Sequence, residues 1–448
     1  MARSVRWHAT LLAASLMAVT CTTGLAQSVL DESEERVIHY ESNEGLADPV
    51  TLLQRKIASG SASLTFETNR GHLRSLLQTL EVPISSQTLV FSRTSSQRAH
   101  TSPATPRAIY FSDTVSVGWA QGAEDIDIVS IDPKRGAIFY TLSQTNDATA
   151  KFTRRSDCMQ CHLGPKTIHV PGLVVRSYFT DLKGTPVASV NEFVSGHDAP
   201  ISSRWGGWYV TGESADRHLG NSFVPATQPA NELDVAAIAT LSNNTRLQNY
   251  FDASHYLSDQ SDIVALLVLE HQTRMQNLIT HAHYETLLAL ADQNNEANSN
   301  PAAARVFQER IARAGDMLLE YLLFRNEAKL KGPVRGSLSF ANDFQSNGVR
   351  DAKGRSLREL DLNTRLFRYP CSYMVYSPSL DGLPAKMRDY LWTRLERVLT
   401  GNDRSPAFAA MSVDDRKAVL EILRETKPEF ASRVKLKTEE FSSISGCP

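Results

Sequence analysis

Five consecutive residues, Cys158-Met159-Gln160-Cys161-His162, can carry a chemistry that nothing else in the chain announces. Two thiols three positions apart can each add across a vinyl group of a haem, forming two thioethers. The imidazole next to the second thiol then lies where it can ligate the iron from the proximal face. The same thiol spacing also serves a redox dithiol or half of a zinc site. A zinc site wants four ligands, and the sequence has no second C-x-x-C or H-x-x-x-H pair. A thioredoxin-like dithiol opens a helix after a strand, and Pro165 follows too closely for that.

A proximal histidine needs an acceptor for its Nδ1–H so that Nε2 faces the iron. The turn Leu163-Gly164-Pro165 is the expected source of that carbonyl. Candidates for the opposite axial position are His169, His197, His218, His255, His271, His281, His283 and Met275. His271 and Met275 are four apart and share one face of a predicted helix. Glu270, Gln272, Arg274 and Asn277 add a polar load to the same helix. An ordinary core helix with a polar stripe reads the same way, and an open five-coordinate iron is the further alternative. An open iron favours small-ligand binding or catalysis over simple electron transfer. Trp205, Trp208 and Tyr209 are candidates for packing on a porphyrin, with Trp205 and Tyr209 on one strand face and Trp208 on the other by alternation. Arg154, Arg155, Arg176 and Arg204 are candidates for neutralising propionates.

The elements that must position these residues divide into β-rich and helical parts. Short helices are expected around Leu52–Ile57 and His72–Leu80. Strands follow at Thr88–Ser92, Ala108–Ser112, Val115–Trp119, Ile126–Ile131 and Ala137–Leu142, separated by turn residues. After the motif a hairpin over Val174–Asp181 and Val187–Phe193 turns at Lys183-Gly184, and Arg204 to Gly212 reads as an aromatic strand. The rest is largely helical. A long helix over Ile263–Ala291 has Ser258 or Asp259 as its candidate cap, and others cover Pro301–Phe324, Pro384–Leu399 and Val413–Thr426. Ser412 and Asp415 have capping-box spacing, and Gly332 to Asp361 reads as a long irregular connection. The expectation is an α+β fold with an antiparallel β-rich N-terminal and haem region and a mainly helical C-terminal half. The regions are 1–26 (signal peptide), 27–150 (N-terminal α+β), 151–250 (haem-binding) and 251–448 (helical).

Compartment decides whether a haem can be attached. Arg3 and Arg6 precede an apolar run from Leu11 to Val19, and Gly24-Leu25-Ala26 offers small residues before Gln27, the pattern of a secretory signal. Lipidation at Cys21 is a second reading, with a poor lipobox before it. Periplasmic or secreted localisation is therefore expected. The formal charge of −2 over 448 residues gives no basic excess for nucleic acid. No later run reaches the roughly 18 apolar residues of a membrane span. Cys371 and Cys447 remain as a pair that an oxidising compartment could join or leave free.

The motif with its leader resembles the c-type cytochromes, over about Asp157 to Pro165. A wider pattern comprises Pro106-Arg107-Ala108-Ile109-Tyr110-Phe111, Arg204 to Gly212, Leu269-Glu270-His271-Gln272 and Arg368-Tyr369-Pro370-Cys371-Ser372-Tyr373. It is similar to large, single-motif bacterial secreted proteins described only as cytochrome c domain-containing. The resemblance implies one covalent haem c on Cys158 and Cys161 with His162 as iron ligand, and it assigns no catalytic residue. The chain departs from the small electron carriers in its much greater length. It departs from dihaem peroxidases in having a single motif. The expected function is one-electron transfer with a redox partner protein, possible as part of an oxidoreductase. The alternative is a haem-based gas-binding or sensing protein without turnover. A third reading is a secreted structural protein in which Cys158 and Cys161 form a disulfide.

Overall fold

β-branched and aromatic residues alternate with polar ones from Arg107 to Ser143, and in the computed structural model these runs pair into one antiparallel sheet. The structure describes residues 30–147, 150–187, 192–224, 243–244, 246–295, 301–403 and 405–433. The expected signal segment, Cys21 and Cys447 lie outside them. Three short helices open the described chain: α1 (Glu32–Ile38), α2 (Pro49–Ala58) and α3 (Leu73–Thr79). The strands are β1 (Thr88–Val90), β2 (Arg107–Phe111), β3 (Val115–Trp119), β4 (Asp125–Asp132), β5 (Gly136–Ser143) and β6 (Phe152–Arg154). The motif forms the single-turn helix α4 (Met159–His162). It is followed by the antiparallel pair β7 (Val175–Ser177) and β8 (Phe193–Ser195), then β9 (Trp208–Tyr209). The large sheet has the order β6-β5-β4-β3-β2-β1-β9 and so draws strands from both sides of residue 150.

The two faces of this sheet differ. Register places Val117, Ile128 and Tyr140 in one row, and that face is buried beneath the N-terminal helices. Tyr140 Oη donates to Asp48 at 3.1 Å, and Val50 N–H donates to Ser130 Oγ at 3.1 Å. On the opposite face Ile109, Ser116, Asp127, Val129 and Ile131 are only half-buried. Alternation between these environments is what the period-two pattern encodes.

Beyond β9 come β10 (Glu213–Ser214), α5 (Ile263–Asn295), α6 (Pro301–Leu322), β11 (Val334–Arg335), α7 (Leu338–Ser346), α8 (Pro378–Asp381), α9 (Ala385–Leu399) and α10 (Val413–Thr426). The α+β class expected from the sequence is the one observed. Helix α5 packs against one end of the sheet, at the β2–β3 and β4–β5 turns. Gln272 Nε2 donates to the Ser112 carbonyl at 2.7 Å, Tyr284 Oη donates to the Arg135 carbonyl at 2.8 Å, and Gly136 abuts Thr280 with no room for a Cβ. Among the described residues no helix is long and apolar enough to cross a membrane.

Several expectations are corrected. Helix α5 starts at Ile263 as expected, but its cap is neither Ser258 nor Asp259: the fully buried Asp262 accepts the N–H groups of Val264 (2.8 Å) and Ala265 (2.9 Å). Gly332 to Asp361 is not a featureless connection: Ser337 caps α7 there, and Phe340 and Phe344 turn into the core. The aromatic strand shrinks to β9, because Trp205 sits at φ 68° and breaks the alternation. Trp205 and Trp208 therefore share one core while Tyr209 enters the other. Replacing Asp262 with alanine removes both cap bonds of the longest helix. The expected cost is about 2 kcal/mol, read as a fall in the urea midpoint with unchanged slope.

Candidate functional site

One helical turn builds the motif. His162 N–H donates to the Cys158 carbonyl at 3.0 Å and Cys161 N–H to the same oxygen at 3.1 Å. This spacing sets Cys158 and Cys161 on one side of the turn. Met159 points inward and is fully buried, in the same core as Phe139 and Val170. It holds the turn down while Cys158 stays half-buried and Cys161 exposed. The two thiols are free. The carboxylate of Asp157, held low by its hydrogen bonds from Arg155, precedes them (N···O 2.6 Å).

His162 is oriented by its Nδ1, which lies 2.9 Å from the Gly172 carbonyl oxygen. A carbonyl only accepts, so Nδ1 carries the proton and Nε2 keeps its lone pair. The return bond, Gly172 N–H to the His162 carbonyl, is 3.0 Å. The acceptor is thus ten residues beyond the histidine and not in the turn 163–165. That turn is occupied with itself: the Gly164 carbonyl takes His169 N–H at 2.8 Å, and Gly164 N–H donates to Thr167 Oγ1 at 3.1 Å. Burial lowers the His162 pKa, against the opposing pull of its Gly172 bond, which favours the neutral imidazole that ligates metals. Its ring packs on Phe139, centroids 5.0 Å apart.

Phe139 belongs to the half-buried sheet face, in register with Val129. Arg107 lies along that face over Gly118, where a Cβ would meet its guanidinium, and pairs with Asp127 at 3.0 Å. Arg176, paired with Glu192 at 3.4 Å, also acts electrostatically on His162. A neutral imidazole with a free Nε2, two unjoined thiols on one turn, and the Phe139 ring on a half-buried sheet face beside two arginines fit a thioether-bound haem. Burial pushes the Cys158 thiol up to about 11, helped by Asp157. Reactive dithiols need the opposite shift. Among the described residues no three or more His, Cys, Asp or Glu side chains converge to hold a bare metal ion.

Of the other sequence candidates, His169 lies in the loop that follows His162, and several more are engaged by partners of their own. His197 and His271 form a buried pair, Nδ1 to Nδ1, at 3.0 Å. The Arg325 carbonyl lies 3.3 Å from His197 Nε2, so that nitrogen is the donor and His197 Nδ1 the acceptor. His271 Nδ1 then donates to His197, and His271 Nε2 accepts the Ser372 hydroxyl at 2.7 Å. Every ring nitrogen of the pair is used. Burial lowers both pKa values, that of His197 to about 4, and Tyr321 stacks on His197 with centroids 3.8 Å apart. Met275 is fully buried, and His169 is exposed at φ 58°. His218 accepts Gly220 N–H at 3.0 Å and packs against the edge of Trp205. Of the arginines, Arg154 donates to backbone carbonyls of residues 40–42 and Arg155 to Asp157. Arg204 is buried against Glu270 at 2.8 Å. Cys371 is buried, and its expected partner Cys447 is outside the described residues.

The sequence reading missed Gly172 and Phe139, because no motif links either to His162. The chain matches no family model, no curated protein and no solved structure.

Proposed function

We propose that this is a periplasmic or secreted monohaem c protein that transfers single electrons to or from a redox partner protein, with an enzyme role open. Cys158 and Cys161 supply the thioether sulfurs and His162 the proximal nitrogen. The observation that carries this reading is the Nδ1–H bond from His162 to Gly172, which leaves Nε2 as the ligating atom beside two free thiols. The haem supplies one-electron exchange at its iron. The chain's part is to fix the imidazole plane, to cover one side with Phe139 and the sheet, and to set charge nearby through Arg107 and Arg176.

A second reading, binding of a diatomic gas at an open sixth position, is favoured by one observation. His197 and His271 have no free lone pair, because their ring nitrogens bond to each other, Ser372 and the Arg325 carbonyl. The test is the visible spectrum of protein co-expressed with haem-attachment machinery, oxidised and reduced, with and without carbon monoxide. Reduced bands unmoved by carbon monoxide are expected for electron transfer. A shifted spectrum moves the assignment to ligand binding, and a colourless protein ends both.

A further inference from the structure

Asn277 is an anomaly on α5. It lies mid-helix, where asparagine is a poor helix former, and it is 2 % exposed. Its amide is spent on another segment. Nδ2 donates to the Leu173 carbonyl at 2.7 Å, and Oδ1 accepts Leu173 N–H at 3.3 Å. Two bonds to one residue's backbone fix that peptide in rotation as well as in place. Gly172, immediately before it, has no room for a Cβ because the Asn277 amide fills that space. The carbonyl of this same Gly172 accepts the His162 Nδ1–H.

We infer that Asn277 is the positioning residue for the proximal histidine, acting through Leu173 and Gly172 to aim the His162 imidazole. This rests on the haem reading for its redox consequence, but not for its geometry. The loop between His162 and Gly172 is seated in the core at Thr167 and Val170 and is more exposed elsewhere. Ile168 and His169 both have positive φ, and residues 161–166 are half-buried or exposed. Helix α5 is tied to the sheet at Ser112 and Arg135. Asn277 thereby refers the imidazole to the sheet and helix frame. Outer-shell bonds of this kind orient a ligand and raise its basicity.

The test uses N277L, which removes both bonds, and G172A, which crowds the amide from the other side. Q272L serves as the control, because it loosens the same helix at Ser112 without touching the loop. A less firmly accepted Nδ1–H makes the imidazole a weaker donor to ferric iron. The midpoint potential should therefore rise in N277L and G172A. About tenfold in the ferrous-to-ferric ratio at fixed poise is expected, which is about 59 mV for one electron. Q272L should leave it unchanged. Separately, nitrogen-15 NMR of the full chain without haem should show slow exchange of the His162 Nδ1–H in the wild type and fast exchange in N277L. An unshifted potential in both loop variants, or unchanged exchange in N277L, overturns the inference. Faster exchange in a chain that never takes up haem upholds the positioning role and overturns the haem reading alone.

Discussion

The double variant C158A/C161A, co-expressed with haem-attachment machinery, is expected to contain no haem that survives acid–organic extraction, whereas the wild type retains its haem. The single variant C161A should keep at most a one-thioether product in reduced yield. Thioether formation adds the sulfur and its hydrogen across a vinyl double bond, so each missing thiol removes one bond. The fold should be indifferent to the Cys161 change. That side chain is exposed, and exposed substitutions cost within about 0.5 kcal/mol. Cys158 is half-buried and packs at the edge of the N-terminal core, so the double variant carries a small additional loss in thermal midpoint. Covalent haem in the double variant would sink the assignment of the motif. If the wild type carries no haem but resists thiol alkylation, the pair is a disulfide.

How far the sequence carries depends on whether a signal is local. The strands from Arg107 to Ser143 follow from period-two alternation, and Val115–Trp119 agrees to the residue. Helix α10 and its Ser412 cap also follow, because the capping box is written within four residues. The cap of α5 is not legible because three polar residues, Ser258, Asp259 and Asp262, compete for it, and only tertiary burial selects Asp262. The aromatic run from Arg204 read as one strand because a positive φ at Trp205 leaves no mark in residue type. The motif was legible, but its support was not. Gly172 and Asn277 are 10 and 115 positions from His162, and no residue pattern couples them. The engagement of His271 and His197 is hidden from the sequence for a related reason. Polar residues at helical spacing look alike whether they face a cofactor or one another. Only the Ser372 hydroxyl and the Arg325 carbonyl reveal that His271 and His197 are already satisfied.

The largest stability effect is expected at Arg204. Its guanidinium is buried with Glu270, N···O 2.8 Å, at side-chain exposures of 2 % and 0 %. It also donates to the carbonyls of Ala199 at 3.0 Å and His197 at 3.2 Å. R204L leaves a buried carboxylate without its cation and the Ala199 carbonyl without its donor, while the His197 carbonyl keeps the Ala328 N–H at 2.9 Å. Breaking such a pair from one side costs about 3–5 kcal/mol. R204L/E270L removes the stranded carboxylate as well and should recover part of the loss, the remainder including the orphaned Ala199 carbonyl. The deficit should depend on pH. Burial raises the Glu270 pKa to about 7, with Arg204 opposing the rise. A carboxyl whose folded pKa lies above its unfolded value binds more protons when folded. Its contribution is complete below the unfolded pKa and is lost as pH rises through the folded value. In R204L the opposing attraction is gone, so the folded pKa moves higher and the loss extends further up the scale. Urea unfolding of R204L and wild type should therefore differ less at about pH 5, where the carboxyl is protonated in both, than at about pH 8. An equal difference at the two pH values would mean that Glu270 does not change protonation state between them.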